Sequence, residues 1–202
     1  MPGTAVPASR LKPLLQEWIS NALNLRRSDP SMPSPKFLKG FRHELANRAF
    51  ALAAVRRMAS RLQGEQAHLF WKTYADLETF NQPRYQAAAD LWGLDTTPGV
   101  LTRLKSWLVA SVPRPLQGLL LRVVYRETVK YMAWLQGLRK IGPGDAQRFL
   151  DYMIDQEQLQ LDMMRLALTG RYRDVARQAD AFLLKYNGVK LLAFSPETME
   201  SK

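Results

Sequence analysis

The chain has no cysteine, so it can form neither disulfides nor thiolate metal sites and carries no cysteine nucleophile. Histidine is nearly absent too. His43 and His68 are the only two, which leaves no zinc-finger spacing and no recognisable hydrolase triad. Long apolar runs are missing: the nearest, Ala49 to Val55 and Gly118 to Leu121, end at arginines, so no membrane-spanning helix is expected. The leading stretch MPGTAVPASRLKPLL holds no apolar core of signal-peptide length. The protein is therefore expected in the cytoplasm or against the inner face of a membrane. Strand signals are confined to VKLLAF near the C-terminus, a segment with no partner. Acidic residues are the minority charge, 18 Asp+Glu against 29 Lys+Arg, for a formal net charge of +11. That surplus favours an acidic protein or an anionic membrane surface as partner, ahead of nucleic acid, for which no motif is present.

What the sequence does contain is helical periodicity. Leu11, Leu14, Leu15, Trp18, Ala22 and Leu25 mark a leading helix from about Ala8 to Arg26, followed by the linker SDPSMPSPK. Four longer amphipathic segments follow, at about Lys39 to Leu62, Glu65 to Trp92, Leu116 to Ile141, and from a capping Asp145 to Thr169. A short helix near Val100 to Val112, ended by Pro113 and Pro115, lies in the crossover between the second and third, and a last helix spans Arg171 to Tyr186. The turn Gly142-Pro143-Gly144 is no phosphate loop, because no Gly-Lys-Ser/Thr follows it. The predicted architecture is all-α, one bundle domain over 37–188, preceded by a helix and linker over 1–36 and followed by a tail over 189–202.

Each of the four long helices interrupts its apolar stripe with a glutamate. The fourth reads Leu150, Ile154, Glu157, Leu161, Met164, Leu168, and the third reads Leu116, Leu120, Val124, Glu127, Tyr131, Trp134, Leu138, Ile141. Steps of three and four keep such residues on one face. The second gives Trp71, Tyr74, Glu78, Asn81, Tyr85 and Ala88, and the first gives Phe37, Phe41, Glu44, Arg48, Ala51, Val55, Met58 and Leu62. A carboxylate inside a helical bundle must meet a metal ion, a basic partner or a proton.

The ordered set Glu44, Glu78-x-x-Asn81, Glu127, Glu157-x-x-Gln160, with a crossover between two hairpins, resembles the ferritin-like di-iron carboxylate bundle over about residues 40–168. That family places one Glu on each of two helices and Glu-x-x-His on each of the other two. Here Asn81 and Gln160 stand where the ligand histidines would be. The resemblance implies a ferritin-like four-helix bundle with additional N- and C-terminal helices, and Glu44, Glu78, Glu127 and Glu157 as metal ligands oriented by Asn81, Gln160 and Arg48.

Two functions compete. In the first the glutamates are neutralised by basic neighbours such as Arg48, one turn after Glu44, or Lys130, three after Glu127, and no cofactor is expected. The protein is then a non-catalytic ferritin-like bundle that binds an acidic partner or membrane surface through its basic exterior. Arg103, Lys105, Trp107, Arg114 and Arg122 are the candidate interfacial residues, since cations beside leucines and a tryptophan suit a headgroup layer. In the second, a di-iron or di-manganese centre on the four glutamates makes it an oxidase or hydroxylase of an apolar substrate. The acidic row Asp151, Asp155 and Asp162 is expected to be solvated or salt-bridged, not a second metal site.

Overall fold

The computed structural model describes residues 32–96 and 111–192, and every regular element among them is helical. Five α-helices follow one another: α1 Pro35–Arg61, α2 His68–Leu91, α3 Gln117–Lys140, α4 Gln147–Leu168 and α5 Tyr172–Tyr186. Short 3-10 turns, Arg114–Leu116 and Gly144–Ala146, lead into α3 and α4. All belong to one compact unit beginning at Pro33. The leading helix, the helix near Val100 to Val112 except its last two residues, and most of the tail lie outside the described residues.

α1 begins four residues earlier than periodicity predicts, inside the expected linker. Ser34 is its N-cap, with a side chain accepting from the Phe37 amide at 3.2 Å, and Pro35 is the first helical residue. A capping serine followed by proline is a start signal that outranks the linker composition. Asp145, expected to cap α4, sits instead in the preceding 3-10 turn, and the N-cap of α4 is Ala146 without a side-chain bond. Val189 to Leu192 form no strand. Gly142 fits its turn because a Cβ there would collide with Leu150 and Phe37, both buried in the core.

Pairwise contacts set the direction of each helix. Phe41 meets Trp92 edge-on at 4.7 Å between ring centroids, while His68 near the other end bonds the Ala59 carbonyl, so α1 and α2 are antiparallel. Arg139 pairs with Asp151 and Arg165 with the Tyr125 hydroxyl, which makes α3 and α4 antiparallel as well. Phe41 packs on Phe149 at 5.8 Å and Arg48 reaches Glu157, so α1 and α4 run the same way. It follows that α2 and α3 also point the same way. The chain leaves α2 beside Phe37 and arrives before α3 with the Val112 carbonyl accepting from Arg61, at the opposite end of α1.

One end of the core is an aromatic plug of Phe37, Phe41, Tyr85, Trp92 and Phe149, linked by edge-to-face contacts. Rings of this size dominate the apolar area a bundle removes from water. α5 closes the far side of α2 and α4. Its Phe182 and Tyr186 rest on Tyr152 at 5.7 and 4.8 Å, and Arg84 of α2 donates to the Tyr186 carbonyl at 2.9 Å. The acidic row on α4 is salt-bridged as expected: Asp151 to Arg139, Asp155 to Lys185 at 2.7 Å, and Asp162 to Arg165 at 3.3 Å.

Candidate functional site: an arginine among three glutamates

Arg48 stands at mid-height of the bundle with only 8% of its side chain exposed. Its position follows from α1 itself: Phe37, Phe41, Glu44, Arg48, Val55 and Met58 fall on the buried face at helical spacing. Its three nitrogens are each engaged by a different glutamate. Nε donates to Glu44 Oε1 one turn back at 2.8 Å, one terminal nitrogen to Glu78 Oε1 on α2 at 3.0 Å, and the other to Glu157 Oε2 on α4. All three glutamates are buried.

Tyrosines and amides complete the network. Tyr131 of α3 donates its hydroxyl to Glu44, Gln160 donates its amide to Glu78 at 2.5 Å, and Tyr74 donates to the Gln160 carbonyl oxygen at 3.0 Å. A neighbouring layer is amide and phenol only. Tyr85 donates to Gln156 at 2.9 Å and Tyr152 donates to the Asn81 carbonyl oxygen.

Three carboxylates against one guanidinium leave an excess of negative charge where burial penalises charge most. The titrations follow from that imbalance. Burial lifts Glu157 to about 7, against the pull of Arg48, with Glu44 adding to the lift. Glu78 is raised for the same reason, again with Arg48 opposing. Burial alone would lower Arg48, but the fields of Glu44, Glu157 and Glu78 overcome it and hold the guanidinium well above its ordinary value. The cluster therefore keeps Arg48 charged and favours a proton on Glu157 near neutrality.

Three of the four predicted glutamates thus meet, and the fourth does not. Glu127 lies on the outer side of α3, its side chain 64% exposed and paired with Lys130 at 2.7 Å. The buried residues of α3 are Leu121, Met132, Leu135 and Leu138, so the helix is rotated from the register that its long apolar stripe suggested. Tyr131, one turn after Glu127, is what α3 contributes instead. Gln160 does orient a glutamate, whereas Asn81 is taken by Tyr152 and reaches none of them through a hydrogen bond. Neither histidine turns inward: His43 packs edge-on against Trp134 at 5.2 Å, and His68 is bonded to the Ala59 carbonyl at 2.8 Å. As arranged, this donor set does not fit a pair of metal ions. A permanent cation of the protein's own stands between the carboxylates, and Glu127 and both imidazoles are engaged elsewhere.

Sequence reading missed Tyr131, Tyr74, Tyr85 and Gln156 as members of the polar core. The signal was present for Tyr74 and Tyr85, four residues from the inward Glu78 and Asn81 on α2, but not for Tyr131, whose neighbour at that spacing is the exposed Glu127. Of the interfacial candidates, Arg122 is exposed on α3, the Arg114 backbone belongs to the 3-10 turn, and Arg103, Lys105 and Trp107 lie outside the described residues. Among the described residues no helix is long and apolar enough to cross a membrane. Comparison with protein-family models, with curated proteins and with solved structures finds no match to this chain.

Proposed function

We propose that the chain is a non-catalytic ferritin-like helical bundle that binds an anionic membrane surface through the outer face of α3. The ferritin-like part rests on helix direction and site placement. α1 and α4 run one way, α2 and α3 the other, and carboxylates from α1, α2 and α4 converge at mid-bundle, where that fold builds its metal ligands. Arg48 supplies the positive charge a metal would otherwise bring. This favours a structural polar core over an oxidase centre.

The observation that carries the binding role is the composition of the outer side of α3. Leu119, Arg122, Val123, Arg126, Val129, Lys130 and Ala133 recur at steps of three and one, form one continuous face, and are all exposed. Leu119 is 58% exposed, Val123 50% and Val129 46%, in a helix whose other side already packs on α4. Aliphatic side chains alternating with arginine and lysine match a headgroup layer, which takes the apolar groups into the acyl boundary and the cations at the phosphates. An acidic protein would satisfy the cations but leave the aliphatic groups without a reason to face water.

Co-sedimentation with vesicles tests this reading. The full chain should pellet with phosphatidylcholine–phosphatidylglycerol vesicles and remain in the supernatant with phosphatidylcholine alone. Arg122→Glu with Arg126→Glu should weaken the anionic binding roughly thirtyfold or more, from about 1 kcal/mol per basic residue near the surface. Leu119→Ser with Val123→Ser should weaken it in high salt as well. Pelleting unchanged by both double variants would sink the proposal, and binding lost only in the charge variant would favour an acidic protein partner.

A further inference from the structure

A cavity of about 270 Å³ lies between α1 and α2 beside Arg48, where α1 carries two alanines. Ala49 and Ala53, one turn apart, make the room, and Leu45 and Leu52 complete an apolar wall. Its polar floor is Arg48, Glu78, Asn81 and Tyr85. Arg48 has spent its three nitrogens on glutamates, Glu78 accepts from Arg48 and Gln160, and Tyr85 donates to Gln156. Asn81 is different. It is 1% exposed, its carbonyl oxygen is held by the Tyr152 hydroxyl, and its Nδ2 meets no acceptor among the described residues. A buried amide donor without a partner is destabilising and calls for an explanation.

We propose that this cavity is a binding site for a small neutral molecule with an apolar body and one acceptor oxygen, a ketone, ester or amide, whose oxygen takes the Asn81 Nδ2 hydrogen bond. The size follows from the volume, since a dry cavity of about 150 Å³ accommodates benzene, so this one takes on the order of ten non-hydrogen atoms. The neutrality follows from the wall. An anion would face Glu78 and the surplus negative charge behind it, and a cation would face Arg48, Arg56 and the Asn81 N–H. The acceptor follows from Asn81, because the Tyr152 bond fixes which end of the amide is left for a ligand. At the mouth, Thr96 donates to Gln86 at 2.7 Å, holding the chain that leaves α2 beside the opening. The site is independent of how α3 meets a surface, and vesicle binding can fail without touching it.

The test is a matched series of one-ring probes added to the full chain: acetophenone, ethylbenzene, benzoate and 1-phenylethylammonium. Affinities are read from chemical shifts, including the Asn81 side-chain amide. Acetophenone is expected to saturate, to move the Asn81 amide signal, and to bind about tenfold more tightly than ethylbenzene, the worth of one hydrogen bond. Benzoate and the ammonium should bind more weakly than either. Asn81→Leu should erase the difference between acetophenone and ethylbenzene, and Ala49→Leu, which fills the cavity, should abolish both. Should Asn81→Leu fail to fold, the unsubstituted protein still decides. Equal affinity for acetophenone and ethylbenzene, tighter binding of either charged probe, or no saturation by any of the four overturns the proposal.

Discussion

Tyr131 on α3 donates its hydroxyl to Glu44 on α1, and this bond joins two helices that touch little elsewhere. Burial raises the Tyr131 phenol far above its ordinary value, and the Glu44 carboxylate raises it further, so the hydroxyl stays a donor throughout the working pH range. Tyr131→Phe removes that donor while leaving the ring in place against Trp134, 4.9 Å away. Unfolding by urea should then report a loss of about 1–3 kcal/mol, the cost of withdrawing one partner from a buried carboxylate. A Phe variant as stable as the parent would mean that Glu44 does not depend on α3.

Arg48 faces a larger demand, because it is the shared partner of three buried carboxylates. Arg48→Leu keeps the apolar stem and deletes the charge, so the glutamates must repel one another or take up protons. The expected destabilisation is about 3–5 kcal/mol at about pH 8, smaller at about pH 5 where the carboxylates can be neutral. Lysine, a single point donor on a flexible stem, cannot address three glutamates from fixed directions, and Arg48→Lys should recover less than half of the loss. Adding Glu44→Gln and Glu157→Gln to Arg48→Leu should restore stability. Denaturant midpoints across the set check the order, and no recovery in the triple variant would show that packing, not charge, sets the cost.

Glu157 gives the pH dependence its sign. Its folded-state value, raised to about 7 by burial, lies above that of the unfolded chain. The native state therefore binds the extra proton, and the associated stability is complete below the ordinary carboxylate range and lost as pH rises through about 7. Glu78 moves in the same direction. Between about pH 5 and about pH 8 the protein should lose on the order of 2–3 kcal/mol from Glu157, and Glu157→Gln should flatten that part of the profile. A stability that instead climbs over the same interval would place the ionised form of Glu157 in the native cluster.

How far the sequence discloses this site depends on the helix. On α4 Glu157 is the one polar interruption of the stripe Leu150, Ile154, Leu161, Met164 and Leu168, so its inward placement could be read directly. The buried face is wider, however, and also holds Gln156 and Gln160. On α1 the alternation of phenylalanines with Glu44 and Arg48 carried both the carboxylate and its partner. α3 defeated the same reasoning because apolar residues surround it: Leu116, Leu119, Val123 and Trp134 are all exposed, while Leu121, Met132 and Leu135 are buried. A stripe drawn through Leu116, Leu120, Val124 and Glu127 follows the edge of the buried face and not its centre. The bond across helices from Tyr131 to Glu44, and the isolation of the Asn81 amide, depend on how neighbouring helices are rotated. No single-helix periodicity contains that information.

Glu127 separates the two accounts of the core. Where Arg48 compensates the carboxylates, Glu127 is a surface residue whose contact with Lys130 is solvent-screened, and Glu127→Gln should change stability by no more than about 0.5 kcal/mol. Added iron or manganese should then leave the melting temperature unchanged in both proteins, because no ligand set awaits the ion. A di-metal centre requires the opposite. α3 would have to turn so that Glu127 entered the core and Arg48 withdrew, and metal binding to the native state alone would raise the melting temperature by mass action. Elemental analysis of protein purified without chelator, with melting curves of the parent and Glu127→Gln, decides between them. Stoichiometric metal together with a metal-dependent stabilisation that the Gln variant loses would displace Arg48 from the role the geometry gives it.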